Sequence, residues 1–167
     1  MDGSVAIVGY MGSGKTTLGR LLARALNLEF ADLDRTIVKR AGEGIPEIFA
    51  RRGEEHFRDL EHEALLDTLE GRSPTVIACG GGIVVRSDNR ALLRDVRTVF
   101  LNEDTDVLYL RTRGPTRPLR ASSREEFGRR YSERLPFYRE VADFEVEADG
   151  RPPAEVAEEV LGCLSRP

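Results

Sequence analysis

The chain has 167 residues and a formal net charge of −4, and 40% of its residues are hydrophobic and 32% charged. These values are ordinary for one globular domain with a full core, and the acidic balance argues against a general nucleic-acid binder. Neither a signal peptide nor an apolar run of about 18 residues is visible. Two cysteines, Cys79 and Cys163, are too few for a disulfide framework. We therefore expect a cytoplasmic protein that binds neither membranes nor nucleic acid.

The first predicted elements are a strand, a glycine-rich loop and a helix. Residues 5–8 are apolar and mostly β-branched, residues 9–16 read Gly-Tyr-Met-Gly-Ser-Gly-Lys-Thr, and leucines recur at helical spacing within residues 17–26. The loop fits the pattern G-x-x-x-x-G-K-[ST] in the context that this pattern requires. Its N–H groups can cradle phosphates, Lys15 can reach the β- and γ-phosphates, and the Thr16 hydroxyl can bind Mg²⁺. This stretch predicts a nucleotide phosphate site.

Strand-like runs alternate with helical runs through the rest of the chain. Further strands are predicted at residues 29–34, 75–79, 98–101 and 144–146. Helices are predicted at residues 36–41, 45–51, 54–69, 87–93, 105–112, 125–141 and 154–164. Residues 113–123 are rich in Arg, Pro and Gly and predict a mobile loop. Strands separated by helices predict an α/β fold of three layers, with a five-stranded parallel sheet between helices.

Ligands of such sheets bind at the carboxyl ends of the strands. Asp32 and Asp34 end the second predicted strand. Side chains two positions apart in an extended chain point to the same face. One can hold Mg²⁺ through water and the other can face an acceptor hydroxyl, although either can instead cap the next helix. After the third strand come Gly80, Gly81 and Gly82, which let a ligand approach the backbone or form a permissive turn. No acidic residue ends that strand, which shifts the metal-holding role toward Asp32.

Several arginines suggest that the second ligand is an anion. Arg58 precedes Glu61 by three positions on a predicted helix, the spacing of a facing pair, although an exposed ion pair is the alternative. Arg117 and Arg134 add guanidinium groups, which suit carboxylates and phosphates. If they converge on one cleft, the acceptor is anionic. The two histidines flank Arg58, and we expect them on a solvated helix face.

The combination resembles the shikimate kinases across essentially the whole chain. Besides the phosphate loop, the resemblance is carried by Asp32-Leu33-Asp34, Gly53-Glu54-x-x-Phe57-Arg58-x-x-Glu61, Gly80-Gly81-Gly82, Arg117-Pro118-Leu119 and Arg134-x-Pro136-x-Tyr138. It implies transfer of the ATP γ-phosphate to the 3-hydroxyl of shikimate, a step toward chorismate and aromatic amino acids. It also implies one P-loop kinase domain over residues 1–167, with a mobile lid near residues 111–123 and acceptor-binding helices near residues 34–70.

The resemblance further implies a role for individual residues. ATP is implied to bind Gly12, Ser13, Gly14, Lys15, Thr16, Thr17, Arg111, Arg117 and Arg151, the first and last of these arginines flanking adenine. Shikimate is implied to bind Asp34, Arg58, Gly80, Gly81, Gly82 and Arg134, with Glu61 orienting Arg58. The implied catalytic residues are Lys15, Asp34 and Arg117, where Asp34 either orients the acceptor hydroxyl or removes its proton. Mg²⁺ is implied to bind Thr16 directly and Asp32 through water.

Two other functions fit parts of the pattern. A kinase of another small hydroxy acid, such as gluconate, would share the loop and need arginines for its carboxylate, but the triple glycine and the Arg134 segment favour shikimate. A nucleotide-binding regulatory or nucleic-acid module is disfavoured by the net charge and by the acidic and basic residues at strand ends. The expected partners are thus ATP and shikimate, bound by a monomer.

Overall fold

The computed structural model describes residues 3–112 and 123–165. Within these ranges the chain forms five strands, β1 (Val5–Val8), β2 (Glu29–Asp32), β3 (Thr75–Ala78), β4 (Arg97–Asn102) and β5 (Phe144–Glu147). The helices of the same ranges are α1 (Lys15–Leu26), α2 (Leu33–Ala41), α3 (Ile45–Leu69), α4 (Ser87–Arg94), α5 (Thr105–Arg111), α6 (Arg124–Val141) and α7 (Pro153–Leu164). A short 3-10 turn, Ile83–Val85, was not predicted.

The five strands form one parallel sheet in the order β2-β3-β1-β4-β5. Strand β1 lies at its centre and is buried along its whole length. Because side chains alternate along a strand, Val5 and Ile7 pack into a cluster with helices α1 and α7. Ala6 and Val8 pack into a second cluster on the opposite face, which the other helices cover. The predicted three-layer α/β fold is confirmed, and the loops after the strands meet along one edge.

The carboxylates after strand β2 are arranged differently from the prediction. The strand ends at Asp32 and helix α2 begins at Leu33, so Asp34 lies in the first helical turn rather than in extended chain. The predicted extended arrangement of Asp32 and Asp34 is therefore wrong. Asp32 caps the helix, because its Oδ1 accepts a hydrogen bond of 3.2 Å from the backbone N–H of Arg35.

Two further predictions concern helix α3 and the lid. The predicted helices at residues 45–51 and 54–69 are the two arms of α3, which are separated by Gly53 at a φ of +80°. Glycine adopts this left-handed conformation without steric cost, so the break falls where the sequence placed it. The predicted lid lies almost wholly outside the described residues, as does Arg117. Among the helices that are described, none has the length and apolar character needed to cross a membrane.

Candidate active site

A cavity of about 790 Å³ opens at the carboxyl ends of the strands. This volume lies within the range of small-molecule sites. The predicted site residues that line it are Gly12, Gly14, Lys15, Thr16, Thr17, Asp32, Asp34, Arg58, Glu61, Gly81, Gly82, Arg111 and Arg134. Of the other predicted site residues, Ser13 and Gly80 adjoin these in the chain, Arg151 is not among the lining residues, and Arg117 lies outside the described part of the chain.

The phosphate loop leads directly into helix α1. Gly12 and Gly14 have φ values of +84° and +97°, which are left-handed conformations that favour glycine. A Cβ atom at Gly12 would stand 2.9 Å from Cγ2 of Thr112, so a side chain would also clash with the end of α5. Lys15 donates from Nζ to the backbone oxygen of Tyr10 at 2.8 Å. The loop therefore presents its amides and one ammonium group at a helix N-terminus, an arrangement that binds phosphate.

Two oxygen ligands suitable for a hard cation lie beside this loop. The Thr16 hydroxyl donates to Oδ2 of Asp32 at 2.7 Å. No group of three or more His, Cys, Asp or Glu side chains that could hold a metal occurs within the described ranges. Two protein oxygens suit Mg²⁺, which keeps several waters and takes phosphate oxygens as further ligands. The donor set fits that ion.

Arg58, which lines the cavity, is bound by two carboxylates of its own helix. It donates to Glu61, and its Nη2 donates to Oε1 of Glu54 at 2.8 Å. Arg58 is 7% and Glu61 is 1% exposed, so the alternative of an exposed ion pair is excluded. Burial, with a smaller contribution from the charge of Asp34, raises the pKa of Glu61 to about 7, which outweighs the lowering by Arg58.

The triple glycine packs against these groups. A Cβ atom at Gly80 would stand 2.6 Å from Oε1 of Glu61 and 2.9 Å from Oδ1 of Asp34. The backbone oxygen of Gly81 accepts hydrogen bonds from Nη1 of Arg134, at 3.3 Å, and from the hydroxyl of Tyr138. Close approach of neighbouring side chains therefore explains the glycine at position 80. Helix α6 is tied to the loop through Gly81.

Some lining residues were not predicted from the sequence. Glu54 lies four positions before Arg58, and Arg130 lies four positions before Arg134, so helical spacing from a predicted residue could have identified both. The ring of Tyr10, 1% exposed, lies under Arg134 with 5.5 Å between its centroid and the guanidinium carbon. This contact joins the phosphate loop to α6. The spacing of residues along the sequence does not predict it.

The expectation of a solvated face is wrong for His62. Its Nδ1 lies 2.7 Å from Oδ1 of Asn89, which is fully buried in α4. The Nδ2 group of Asn89 donates to the backbone oxygen of Ile83 at 3.0 Å. His62 thus takes part in a link from α3 to the turn after the triple glycine. His56 is partly buried, with its Nε2 3.3 Å from Nη1 of Arg52.

The two arginines predicted at adenine have different surroundings. Nη1 of Arg111 lies 3.2 Å from Oε2 of the buried Glu103 and donates to the backbone oxygen of Gly12 at 3.4 Å. Arg151 instead donates to Oε2 of Glu159, at 2.8 Å, and to the backbone oxygen of Glu147. Arg111 lines the cavity with its guanidinium near the phosphate loop, whereas the guanidinium of Arg151 is bound toward α7.

Neither cysteine forms a disulfide, as expected. Cys79 lines the cavity but is 2% exposed, and burial raises the pKa of its thiol to about 12. A thiol that stays protonated is a poor nucleophile. Cys79 therefore packs as a small apolar residue.

Comparison with known proteins gives a consistent result. The family model for shikimate kinase matches residues 11–165. The shikimate kinase of Pseudomonas syringae pv. syringae (strain B728a) is 44% identical over 168 residues, 97% of this chain and 96% of that protein. The structure of the Acinetobacter baumannii shikimate kinase in complex with shikimate matches with a TM-score of 0.91 and 34% identity, covering 96% of this chain and 92% of that one. A gluconokinase from Sinorhizobium meliloti 1021 matches with a TM-score of 0.63 and 22% identity, over 98% of this chain and 92% of that one, a likeness of fold alone.

Proposed function

The chain belongs to the shikimate kinase family, and we propose the roles by which its own residues carry the γ-phosphate of ATP to the 3-hydroxyl of shikimate. The enzyme is an ATP-dependent kinase that acts on shikimate. One observation carries the assignment of roles: a phosphate loop and a pair of arginines, Arg58 and Arg134, line the same cavity, with Asp34 beside them. A phosphate donor and an anionic acceptor can therefore bind in contact.

The donor half neutralises and positions the phosphates. The amides of the loop bind the phosphate oxygens, and Lys15 moves from the Tyr10 carbonyl to the transferred group. Thr16 and Asp32 would hold Mg²⁺, Asp32 through water, since their side-chain oxygens lie 2.7 Å apart. When bound, the ion neutralises charge that builds up on the phosphates. Ser13 and Thr17 flank these residues in the loop and complete the phosphate contacts.

The acceptor half recognises a carboxylate and orients hydroxyl groups. Arg58 and Arg134 present guanidinium groups, whose fork of N–H donors matches a carboxylate. Glu61 holds Arg58 in place from the buried side. The backbone of Gly80, Gly81 and Gly82 lies against these side chains, which supports contact between this loop and the substrate ring.

Asp34 is proposed to act on the reacting hydroxyl. It lines the cavity, and its carboxylate lies beside Gly80, as does that of Glu61. Its carboxylate accepts a hydrogen bond from the 3-hydroxyl, which aligns the oxygen for in-line attack and can take its proton as the new bond forms. Arg111 flanks the adenine, with Arg151 on the other side of the base. Arg117, outside the described residues, is assigned to the phosphates from the resemblance. The roles proposed here need no residue from a second copy of the chain, and we propose a monomer.

The proposed acceptor is tested by ADP release in the presence of different acceptors. We expect release with shikimate and none above the ATPase background with gluconate, a nucleoside monophosphate or RNA. Release only with nucleic acid, or with none of the four, would refute the proposed function.

A separate variant tests the assignment of Arg58 to the carboxylate of the acceptor. Arg58→Ala should raise the shikimate KM by at least about tenfold, because a charge-assisted contact is lost, and leave the ATP KM within about twofold. Arg40→Ala, which removes an exposed arginine paired with Asp67, is the matched control and should leave both values unchanged. A raised ATP KM with an unchanged shikimate KM would contradict the assignment.

A further inference from the structure

Glu103 is a buried carboxylate in the turn between strand β4 and helix α5. The residue is 3% exposed. Its Oε1 accepts a hydrogen bond of 3.1 Å from the backbone N–H of Asp104, which is a local contact. Its Oε2 lies 3.2 Å from Nη1 of Arg111 and accepts from the backbone N–H of Gly150 at 3.3 Å. Burial of a carboxylate costs free energy unless such partners balance it. Two of the three partners, Arg111 and Gly150, lie outside the turn that contains Glu103.

The Arg111 contact leads to the phosphate loop. The guanidinium that binds Glu103 also donates to the backbone oxygen of Gly12 at 3.4 Å. The side chain of Arg111 is 42% exposed, whereas that of Glu103 is 1% exposed. A buried and fixed partner thus restrains a long side chain at the cavity wall, which reduces the rotamer entropy that Arg111 loses when it binds a ligand.

The Gly150 contact leads to the turn after strand β5. Gly150 has a φ of +67° and follows Asp149 at +45°, and the N–H of Arg151 closes the turn on the oxygen of Ala148 at 2.7 Å. This turn lies next to Glu103 because strands β4 and β5 pair in parallel, with Asn102 opposite Glu147. Glu103 therefore joins the phosphate loop, through Arg111, to a segment 47 residues further along the chain.

We propose that Glu103 is a positioning residue of the nucleotide site, which holds Arg111 and the Gly150 turn at a fixed separation so that the base of ATP enters a preformed slot. The inference rests on the proposed role of Arg111 at adenine. A purely local role, ending strand β4, needs only the Oε1 contact with Asp104. The other oxygen makes both remaining contacts, with Arg111 and with the N–H of Gly150.

The test separates positioning from general stability by steady-state kinetics. Glu103→Gln preserves the shape of the side chain but removes its charge, so Arg111 loses its ionic partner. We expect the ATP KM to rise about fivefold and the shikimate KM, at saturating ATP, to stay within about twofold. Arg111→Ala should raise the ATP KM about tenfold. In the double variant Glu103→Gln/Arg111→Ala, the glutamine should add less than about twofold, because Glu103 acts through Arg111.

The control is Asp67→Asn, which removes the charge of an exposed carboxylate that pairs with Arg40, and it should leave both KM values unchanged. The affinities of these proteins for ADP, measured by calorimetry without shikimate, should rank them in the same order as their ATP KM values. An unchanged ATP KM in Glu103→Gln beside a raised one in Arg111→Ala would overturn this inference alone, as would effects that multiply in the double variant. An unchanged ATP KM in Arg111→Ala would overturn the proposed base contact and this inference with it.

Discussion

The guanidinium of Arg58 is balanced within the protein by two carboxylates that differ in burial. The side chain of Glu61 is 2% exposed and that of Glu54 is 61% exposed. Glu61 therefore holds the guanidinium from the interior, and Glu54 binds it from the side that faces solvent. The protonation of Glu61 and the charge of Asp34 influence each other, because both carboxylates lie against Gly80.

Replacement of Asp34 by Asn tests its role at the hydroxyl. The amide keeps the shape but is a weak hydrogen-bond acceptor and no base, so kcat should fall by at least about a hundredfold. The ATP KM should stay within about twofold, since Asp34 is assigned to the acceptor. Asp95→Asn changes an exposed aspartate at the end of α4 and should turn over normally. Normal turnover of Asp34→Asn would remove Asp34 from the mechanism.

The raised pKa of Glu61 predicts a dependence of stability on pH. Its pKa is about 7 in the folded protein against an ordinary value of 4.5, so the native state binds more protons than the unfolded state between these pH values. The stability that this group contributes is complete below pH 4.5 and is lost as the pH rises through about 7. The charged groups that face it are Arg58, Asp34 and Arg134.

Glu61→Gln should remove this dependence. In urea titrations at pH 5, 6 and 7, the free energy of unfolding of the unmodified protein should fall relative to that of the variant, with a slope approaching about 1.4 kcal/mol per pH unit. The difference between the two proteins isolates Glu61 from other titrating groups. Parallel curves would show that its pKa is not raised.

At the scale of elements, helix α4 holds the acceptor side together. Asn89 bridges His62 of α3 and Ile83 of the 3-10 turn, as described above. The next residue, Arg90, donates from Nη1 to the oxygen of Val84 at 2.8 Å, and its guanidinium carbon lies 4.4 Å from the ring centroid of Phe137 in α6. Two adjacent residues of one short helix thus connect the turn after the triple glycine to α3 and α6, the helices that carry Arg58 and Arg134.

Asn89→Ala should therefore affect both stability and acceptor binding. It leaves the buried Ile83 oxygen and the partly buried His62 nitrogen without these partners, which should cost about 2 kcal/mol and lower Tm by roughly 4–8 °C. The shikimate KM should rise more than the ATP KM, because the displaced turn follows the triple glycine. Ser87→Ala, at an exposed position of the same helix, should change neither. Equal effects on the two KM values in Asn89→Ala would contradict the proposed link.

At the scale of the whole molecule, the parallel sheet brings distant segments to one edge. The cavity takes residues from the loops after β1 and β3, from the carboxyl end of β2 and from helices α1, α2, α3, α5 and α6. A ligand that binds there contacts groups that separate on unfolding, so it stabilises the folded state by mass action.

ADP at about 100 times its Kd should add about 2.7 kcal/mol to the free energy of unfolding and raise Tm by roughly 5–10 °C in thermal scans. Lys15→Ala should lose most of this shift but keep the shift produced by shikimate. The chain has one other lysine, Lys39, which is exposed on α2, so Lys39→Ala is a matched control with both shifts intact. A full ADP shift in Lys15→Ala would contradict the placement of nucleotide at the loop.

Local sequence was sufficient for the elements and for the identity of the phosphate loop. Alternating strand and helix patterns require a covered parallel sheet, and the glycines with Lys15 and Thr16 have a chemistry that depends on adjacent residues. The order of the remaining motifs indicated the shikimate kinase family, to which the chain belongs. The position of the cavity also followed, because ligands of such sheets bind where the strands end.

The tertiary structure alone decided which side chains meet and how deeply they are buried. Asp34 lies in the first turn of α2 rather than in an extended strand, His62 contacts Asn89, and Glu103 reaches Gly150. The contacts of His62 with Asn89 and of Glu103 with Gly150 join residues 27 and 47 positions apart, so no local periodicity predicts them. Burial, which raises the pKa of Glu61, likewise depends on how the helices pack on the sheet. The order of the motifs along the chain thus indicates the chemistry of this protein, whereas packing sets how each side chain is held for it.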